Sequence, residues 1–211
     1  MIRFSTPSKV PCKTWSLQAL DTCLGSKGSD GNLVPACEGC YATTGHYHMP
    51  NVKEPRVHNR EDWKREGWVS EFVTAIQKDK YFRWFDSGDI YDLRLAKKML
   101  DVMRLTPGTK HWLPTRMHKF SKYKDTFTKM EALTNVVVRY SSDSISGGII
   151  EGANSSTIIP DPESKTSASI CNSYKTQGKC KDCRNCWDKS IKVIAYPAHG
   201  RKMLKIIATS S

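Results

Sequence analysis

The sequence lacks any apolar run that approaches the about 20 residues needed to cross a bilayer. Its opening segment, MIRFSTPSKV, lacks the apolar stretch that a secretory signal carries. The P-loop, the GxGxxG fingerprint, the HExxH zinc motif and the GxSxG nucleophile motif are also missing. We therefore expect a cytoplasmic protein without a membrane partner, and the sequence does not support an NTPase, a zinc protease or a serine hydrolase.

Acidic residues are scarce, with 21 Asp and Glu against 33 Lys and Arg, so the formal net charge is +12. A positive field attracts polyanions and speeds encounter with them. The basic residues are spread along the chain and do not form a single arm. This balance is typical either of a protein that binds nucleic acid or a phosphorylated substrate, or of a lysine-rich soluble surface.

Cysteine, by contrast, is abundant. In a short secreted chain many cysteines predict disulfides, but clustering at two-residue spacings in 211 residues without an export signal favours metal ligation. The eight cysteines form an N-terminal group and a C-terminal group separated by a long gap: Cys12, Cys23, Cys37 and Cys40, then Cys171, Cys180, Cys183 and Cys186.

The C-terminal group contains the run CKDCRNC at residues 180–186. It resembles the ferredoxin-type C-x₂-C-x₂-C segment, in which each thiolate binds a different iron of a cubane. Zinc ribbons use separated CxxC pairs instead. The neighbouring Lys179, Lys181 and Arg184 favour thiolates. The spacing therefore favours an iron–sulfur cluster, with zinc as the alternative.

The N-terminal group offers three thiols as ligands of one metal centre, those of Cys23, Cys37 and Cys40. Three thiolates leave a metal centre with an open position, which is typical of a reactive centre. If Cys12 is the fourth ligand, the site is closed; a third alternative pools ligands from both groups in one centre. The histidines in residues 46–48 (HYH) are alternative ligands, although loop histidines more commonly have no special role.

Hydrophobic periodicity predicts helices and strands in alternation, which implies βα units and a parallel sheet. The length leaves room for a partial (β/α) barrel but not for a complete eight-fold one. We expect a single α/β domain with a cysteine-rich loop over 1–50, a βα core over 51–160 and a C-terminal cysteine segment with closing strands over 161–211. Helices are predicted at about 66–78, 93–103 and 117–133, and strands at 81–85, 111–115, 136–140, 155–160, 192–196 and 203–208.

Three polar turns follow predicted strands, at residues 86–89 (DSGD), 115–116 (TR) and 141–143 (SSD). In parallel α/β folds, chemistry collects at the C-terminal ends of the strands. We therefore expect these turns to lie on one edge of the sheet.

Several segments together carry a family resemblance. The opening from Thr14 to Cys40, with the run PACEGCYA, resembles that of phage-encoded proteins related to radical-SAM enzymes, and among these the gene product 88 family. The runs FDSGD at 85–89, PTRMHK at 114–119 and GKCKDCRNCW at 178–187 follow in the same order. The resemblance spans most of the chain and implies a partial (β/α) barrel in the cytoplasm of an infected bacterial host.

The resemblance also implies cofactors. Radical-SAM proteins hold a [4Fe–4S] cluster on three cysteines, and its fourth iron takes the amino and carboxylate groups of S-adenosylmethionine. Reductive cleavage gives a 5′-deoxyadenosyl radical that abstracts hydrogen from a substrate, so an electron donor is an implied partner. The leading hypothesis has one or two clusters: a reactive one on Cys23, Cys37 and Cys40, by analogy with this family, and a second, auxiliary, structural or electron-carrying one on Cys171, Cys180, Cys183 and Cys186, from the spacing.

The turn Ser87-Gly88-Asp89 resembles the strand-end motif that receives the methionine amino group, with Asp89 as the acceptor. Arg116 would pair with the methionine carboxylate, and Ser141 or Asp143 would contact the ribose. The predicted catalytic residues are thus Asp89 and Arg116, and the predicted cofactor-binding residues are Tyr41, Ser87, Gly88, Asp89, Arg116, Ser141 and Asp143.

The chain departs from the usual radical-SAM pattern. Thirteen residues separate Cys23 from Cys37 where CxxxCxxC is usual, Tyr41 follows the last cysteine instead of preceding it, and the turn reads SGD where GGE is usual. The leading hypothesis is an iron–sulfur protein that cleaves S-adenosylmethionine to act on a nucleic-acid or nucleotide-type substrate. The alternatives are a zinc-stabilised nucleic-acid-binding protein without catalysis and an electron-transfer iron–sulfur protein that does not bind S-adenosylmethionine.

Overall fold

The centre of the fold is one sheet of seven strands, all paired in parallel, in the order β1-β2-β3-β4-β5-β7-β6. The computed structural model describes residues 1–210. The parallel α/β prediction is confirmed; β1 and β6 are the two edges, so the sheet is open. Its strands are β1 (Thr14–Trp15), β2 (Tyr81–Trp84), β3 (Lys110–Thr115), β4 (Val136–Ser141), β5 (Ser155–Ile159), β6 (Ser169–Ile170) and β7 (Val193–Pro197).

The α-helices are α1 (Pro35–Glu38), α2 (Pro50–Asp62), α3 (Trp68–Ile76), α4 (Leu93–Leu105), α5 (Lys124–Glu131) and α6 (Arg201–Ser210). Helices α3, α4 and α5 pack in the large core on one face of the sheet, and short 3₁₀ turns occupy several of the connections. The 3₁₀ helices span Leu24–Ser26, Tyr41–Thr43, Gly45–His48, Met117–Lys119, Ser121–Tyr123, Asn172–Thr176 and Asn185–Trp187. Among residues 1–210, no helix combines the length and the apolar character that crossing a membrane requires.

Alternation along β2 separates two apolar layers. Phe82 and Trp84 are fully buried on the helix-covered face, where Phe72 of α3 stacks on Trp84 with ring centroids 4.8 Å apart. Tyr81 packs on the other face with the small cluster of Val10, Trp112 and Trp187. The sheet therefore has a large core on one face and a smaller cysteine-bearing layer on the other.

The predicted strand at 111–115 forms β3 although it contains Pro114, which lacks the N–H that a central strand uses. The pairing of β3 with β2 ends at Trp112, two residues before the proline. Pro114 pairs on one side only, opposite Arg139 of β4. Pro114 therefore lies in the last part of β3, which no longer pairs with β2 and lines the cavity of the site described below.

The predicted helix at 117–133 is wrong in its first half, where two 3₁₀ turns precede α5. Phe120 between them is extended, with φ −111° and ψ 114°. Met117 and Tyr123 are both fully buried, and the Met117 N–H is bonded to the Thr115 hydroxyl. These anchors tie the segment to the end of β3, so a regular helix begins only at Lys124.

The predicted strand at 203–208 is also wrong, because this segment belongs to α6. Met203, Ile206 and Ile207 recur at helical spacing, and the structure buries them more than their neighbours. A Cβ added to Gly39 would lie 2.9 Å from the Met203 Cα, so only glycine allows α6 to approach α1 this closely. The helix therefore covers the turn between Cys37 and Cys40.

His111 of β3 is held neutral in the core. The Trp84 indole N–H donates to His111 Nδ1 at 3.2 Å, and His111 Nε2 lies 2.9 Å from the Thr106 hydroxyl oxygen. Because the Thr106 hydroxyl donates to Val102 O at 2.7 Å, Nε2 must be the donor to Thr106. A second proton on the ring would sit on Nδ1 and face the Trp84 N–H, so the neutral ring is favoured. Burial accordingly lowers the pKa of His111 from 6.5 to about 3.

Acid is therefore expected to destabilise the protein through His111. His111 takes up a proton near pH 6.5 in the unfolded chain but only near pH 3 in the folded chain. The contribution of neutral His111 to the free energy of unfolding is therefore fully present above pH 6.5 and is lost as the pH falls toward 3. Between about pH 7 and about pH 4.5, this group should lower the free energy of unfolding by about 2–3 kcal/mol. Urea unfolding of wild type and His111→Gln at both pH values measures the difference. Equal acid losses in the two proteins would contradict it.

Candidate metal and cofactor site

The turns at the C-terminal ends of β2, β3 and β4 open into one cavity of about 510 Å³. The cavity is also lined by thiols from both cysteine groups: Cys23, Cys37 and Cys40, with Cys171, Cys180 and Cys186. The predicted cofactor-binding residues that line it are Tyr41, Ser87, Gly88, Asp89, Arg116 and Ser141. Asp143 does not line the cavity but forms an ion pair with Arg116 beside it, whereas Cys183 is exposed and does not line it.

The turn after β2 is fastened to the N-terminal segment. Leu17 N–H donates to Ser87 O at 3.1 Å, and the Ser87 hydroxyl donates to Leu17 O at 2.8 Å. Gly88 has φ +77°, and a Cβ there would lie 2.7 Å from Leu17 O. Glycine is required at this position by both its backbone angle and the close contact.

A buried ion pair supports the same turn from α2. Arg56 Nη2 lies 2.9 Å from Asp86 Oδ2 and 3.1 Å from Asp86 Oδ1, and both side chains are about 5% exposed. Arg56 Nε donates to the Ser87 hydroxyl at 2.6 Å, and the Ser16 hydroxyl also donates to Asp86. Asp86 lines the cavity, but Arg56 and Ser16 engage its carboxylate, so its role is structural.

Asp89 is buried and bonded to the loop after β3. Its Oδ1 accepts hydrogen bonds from the Thr115 hydroxyl at 2.7 Å and from Ile90 N–H at 2.8 Å. Its Oδ2 accepts one from Arg116 N–H at 2.8 Å. These hydrogen bonds act to lower the pKa of Asp89, but burial has the larger effect and raises it to about 6.

Arg116 makes contacts with the loop after β4. Its Nη2 donates to Ser142 O at 2.9 Å, and its Nε lies 3.3 Å from Asp143 Oδ1 without a well-aligned hydrogen bond. Lys119 Nζ lies 2.5 Å from Asp143 Oδ2. Arg116 and Asp143 therefore join two strand-end loops, and the cavity has a cationic wall beside the N-terminal thiols.

The N-terminal thiols are shielded from water. Cys37 is buried in α1, and Cys23 and Cys40 are half-buried. Burial raises the pKa of Cys23 to about 12, with smaller increases from the charges of Asp89 and Cys40. Burial also raises the pKa of Cys37, although Arg116 opposes this. Without a bound metal, the thiols of Cys23 and Cys37 are therefore protonated.

The histidines near this group face away from it. The His48 ring bonds Thr43 O at 2.8 Å, and His46 contacts the Met49 sulfur; both histidines are exposed. His199 does line the cavity, with its ring centroid 6.1 Å from that of Tyr41.

The C-terminal thiols lie across the cavity, near Tyr196. Cys186 Sγ is 3.4 Å from the Tyr196 hydroxyl oxygen, and Cys171 Sγ is 3.4 Å from the Ser173 hydroxyl oxygen. Burial raises the pKa of Cys186 to about 11, opposed by the Tyr196 hydrogen bond and Arg139. Cys12 does not line the cavity, and it packs against the same apolar cluster as Cys180 and Cys186 rather than with the N-terminal set.

Two arginines beside the C-terminal thiols, of which Arg83 is half-buried and Arg139 fully buried, were not predicted from the sequence. Arg83 lies over the Trp112 ring at 4.5 Å with its Nε unpartnered, and Arg139 is fully buried with its Nε likewise unpartnered. Within residues 1–210, neither pairs with a carboxylate at ion-pair distance. Alternation in YFRWF, which sets Arg83 opposite Phe82 and Trp84, was the available signal.

The thiols surround the cavity without forming a position for a single ion. In the part of the chain that the structure describes, no three Cys, His, Asp or Glu side chains are arranged to hold one metal ion. A cubane attaches its thiolates to separate irons, so it needs a wider ring of cysteines. Arg139 is bonded to backbone carbonyls alone, and Asp86 acts on Arg83 only from beyond ion-pair distance, so the positive charge of both arginines favours an anionic group in the cavity. The donor set fits a group bound by several thiolates.

Comparison with known proteins gives one match. The family model described as gene product 88 matches residues 2–189, which include both cysteine groups and all three strand-end turns. No curated protein and no solved structure matches the chain. Since the matched range covers most of the 211 residues, the chain belongs to the gene product 88 family.

Proposed function

We propose that this protein is an iron–sulfur protein related in activity to radical-SAM enzymes, with a [4Fe–4S] cluster on Cys23, Cys37 and Cys40. A second cluster would use the C-terminal thiols. The observation that carries the proposal is the meeting of both cysteine groups and the three strand-end turns at one cavity. Three cysteines leave one iron of the first cluster open to a ligand.

Basic residues around this cavity favour an anionic centre. Arg116 and Lys119 lower the pKa of the Cys37 thiol, and so favour its ligating thiolate form. On the other side, Arg83 and Arg139 do the same for Cys186. Trp187, which is 6% exposed, covers Cys186 and keeps water from the sulfur.

The strand-end turns supply polar groups for S-adenosylmethionine. Asp89 Oδ2 accepts only one hydrogen bond from the protein, so it keeps acceptor capacity for the methionine ammonium. Ser141 lines the same cavity and can contact the ribose. A reduced cluster would supply one electron for cleavage of the sulfonium C–S bond.

The remaining wall suits a substrate with a planar or charged part. Arg83 is stacked on Trp112, and Tyr41 and Tyr196 flank the cavity. An arginine beside aromatic rings binds phosphate and stacks on bases. A nucleotide-type or nucleic-acid substrate therefore matches both this wall and the net charge of +12.

The first test is the metal content of the anaerobically purified full-length chain. We expect about four or about eight irons per chain with equal acid-labile sulfide, and a broad visible absorption that bleaches on reduction. Cys37→Ala should remove the N-terminal cluster and abolish cleavage of S-adenosylmethionine, while the C-terminal cluster remains. Iron, zinc, sulfide and 5′-deoxyadenosine are measured together.

His46→Ala is the matched control, since His46 lies in the same loop region but faces away from the cavity. It should keep the iron content and the cleavage activity of the wild type. Stoichiometric zinc without sulfide would replace the proposal with a zinc-stabilised binding protein. Full iron without cleavage would leave an electron-transfer protein, and unchanged iron in Cys37→Ala would show that the assigned ligands are wrong.

A further inference from the structure

The C-terminal cysteine group gains a member that its sequence spacing does not include. Cys12 packs against the small apolar cluster of Val10, Trp112 and Trp187, as do Cys180 and Cys186. The backbone fixes this arrangement, because Cys180 N–H donates to Lys9 O at 2.8 Å. Cys12 and Cys180 are therefore held on neighbouring segments although they are far apart in the sequence.

Charge interactions place Cys12 in the same neighbourhood. Arg83 and Arg184 act on the Cys12 thiol to lower its pKa, and Cys180 raises it, while burial raises it to about 11. The groups that act on Cys23 and Cys37 belong to the other side of the cavity, and Cys12 is not among the main ones. The eight cysteines are thus divided into three and five.

Cys183 is the outlier of the five. Cys171, Cys180 and Cys186 line the cavity, whereas Cys12 and Cys183 do not, and of these two only Cys183 is exposed. Cys12 is half-buried beside the apolar cluster. A cluster held by Cys183 would be open to water on that side, while one held by Cys12 would be covered by Trp112 and Trp187.

Two buried donors face this layer without an acceptor. Trp112 is 5% exposed and lines the cavity, yet its indole N–H has no hydrogen-bond partner among residues 1–210. Arg83 Nε, stacked on the same ring, is also without a partner. Buried N–H groups are rarely left unpaired, and sulfur atoms of a cluster accept such hydrogen bonds.

We propose that Cys12 is a ligand of the C-terminal metal centre, together with Cys171, Cys180 and Cys186, and that Cys183 is not. This inference rests on the proposed function in so far as it needs a thiolate-bound centre. It would make the N-terminal segment an integral part of that centre. Trp112 and Arg83 would then donate to its sulfur atoms.

The test compares Cys12→Ser with Cys183→Ser in the full-length chain purified without oxygen. Cys12→Ser should lower iron and sulfide by about half relative to wild type, since one of two clusters is lost. Cys183→Ser should keep the wild-type content. Loss of iron in Cys183→Ser with retention in Cys12→Ser would overturn the inference, and so would equal loss in both.

Alkylation of the wild type with iodoacetamide gives a readout that needs no substitution. Mass spectrometry should find Cys12 protected until a chelator removes the metal, and Cys183 modified both before and after. Early modification of Cys12 would overturn the inference. If the wild type holds zinc without sulfide, the proposed iron–sulfur function fails, whereas loss of that zinc in Cys12→Ser would still support Cys12 as a ligand.

Discussion

Replacing Arg56 with methionine is expected to lower the free energy of unfolding by about 3–5 kcal/mol, because it leaves the buried Asp86 carboxylate without its cation. Methionine keeps the length of the side chain, so packing changes least. The substitution also removes the donor to the Ser87 hydroxyl, which lies in the turn beside the cavity. Urea unfolding of the metal-free, reduced protein measures the loss.

Two further variants make this prediction specific. Arg60→Met on the same helix removes an exposed ion pair with Asp21, 3.4 Å apart, and should cost less than about 1 kcal/mol. Adding Asp86→Asn to Arg56→Met removes the unpaired charge and should restore part of the stability. Equal losses in Arg56→Met and Arg60→Met would show that the buried pair contributes no more than a surface pair.

The second large effect is expected at Arg139, whose guanidinium is bonded to backbone rather than to acids. Its Nη1 donates toward the carbonyls of Ser155, Ile191 and Lys192 at 3.0–3.2 Å, and its Nη2 toward those of Asn185 and Asp188 at 3.2–3.3 Å. One side chain thus holds the segment that contains Cys186 and Trp187 against β4 and β5.

Arg139→Met should lower the free energy of unfolding by about 3 kcal/mol, because several part-buried carbonyls lose their hydrogen-bond donor. This loss outweighs the gain from removing one buried charge. The C-terminal segment should also become more open, so Cys186 is expected to react faster with a thiol reagent. Arg139→Lys, which keeps the charge with fewer donors, should lie between wild type and Arg139→Met. A loss below about 1 kcal/mol, with unchanged Cys186 reactivity, would contradict this role.

Much of the parallel sheet followed from the sequence because its central strands are short apolar runs bounded by turns. The strands at β2, β4, β5 and β7 and the helices α3 and α4 occur where periodicity placed them. The edge strands β1 and β6 have only two residues each, too few for any period. The helix α2 contains Pro55 and has few apolar residues, so its pattern gave no helical signal.

The segment of α6 shows how residue type misled the prediction. Ile206 and Ile207 favour strands by propensity, but their spacing from Met203 is helical, and contact with Gly39 determines the conformation. At 117–133 the reverse happened, since burial of Met117 and Tyr123 interrupts an otherwise helical pattern. The first error therefore comes from weighing residue type above spacing, and the second from tertiary contacts that the local sequence does not contain.

The sequence predicted which residue types form the candidate site, but not how the eight cysteines are divided between its two sides. Spacing identified the cysteines and the strand-end turns that the structure gathers at one cavity. It could not place Cys12 with Cys180, because that contact depends on how the N-terminal segment crosses the sheet. Nor could it show that Arg139 lies beneath the C-terminal cysteine segment, since single buried arginines have no periodic signature.

The strand order has a consequence for synthesis on the ribosome. From β1 to β5, each strand pairs with the one made before it, so the sheet can grow at one edge as the chain emerges. Strand β6 breaks this order: its partner is β7, which is translated later. Cys171, Cys180, Cys186 and Tyr196 therefore reach their places only after residues 193–197 have inserted beside β5. Under the proposed function, a cofactor at the C-terminal thiols would therefore be loaded late, when the sheet is already almost complete.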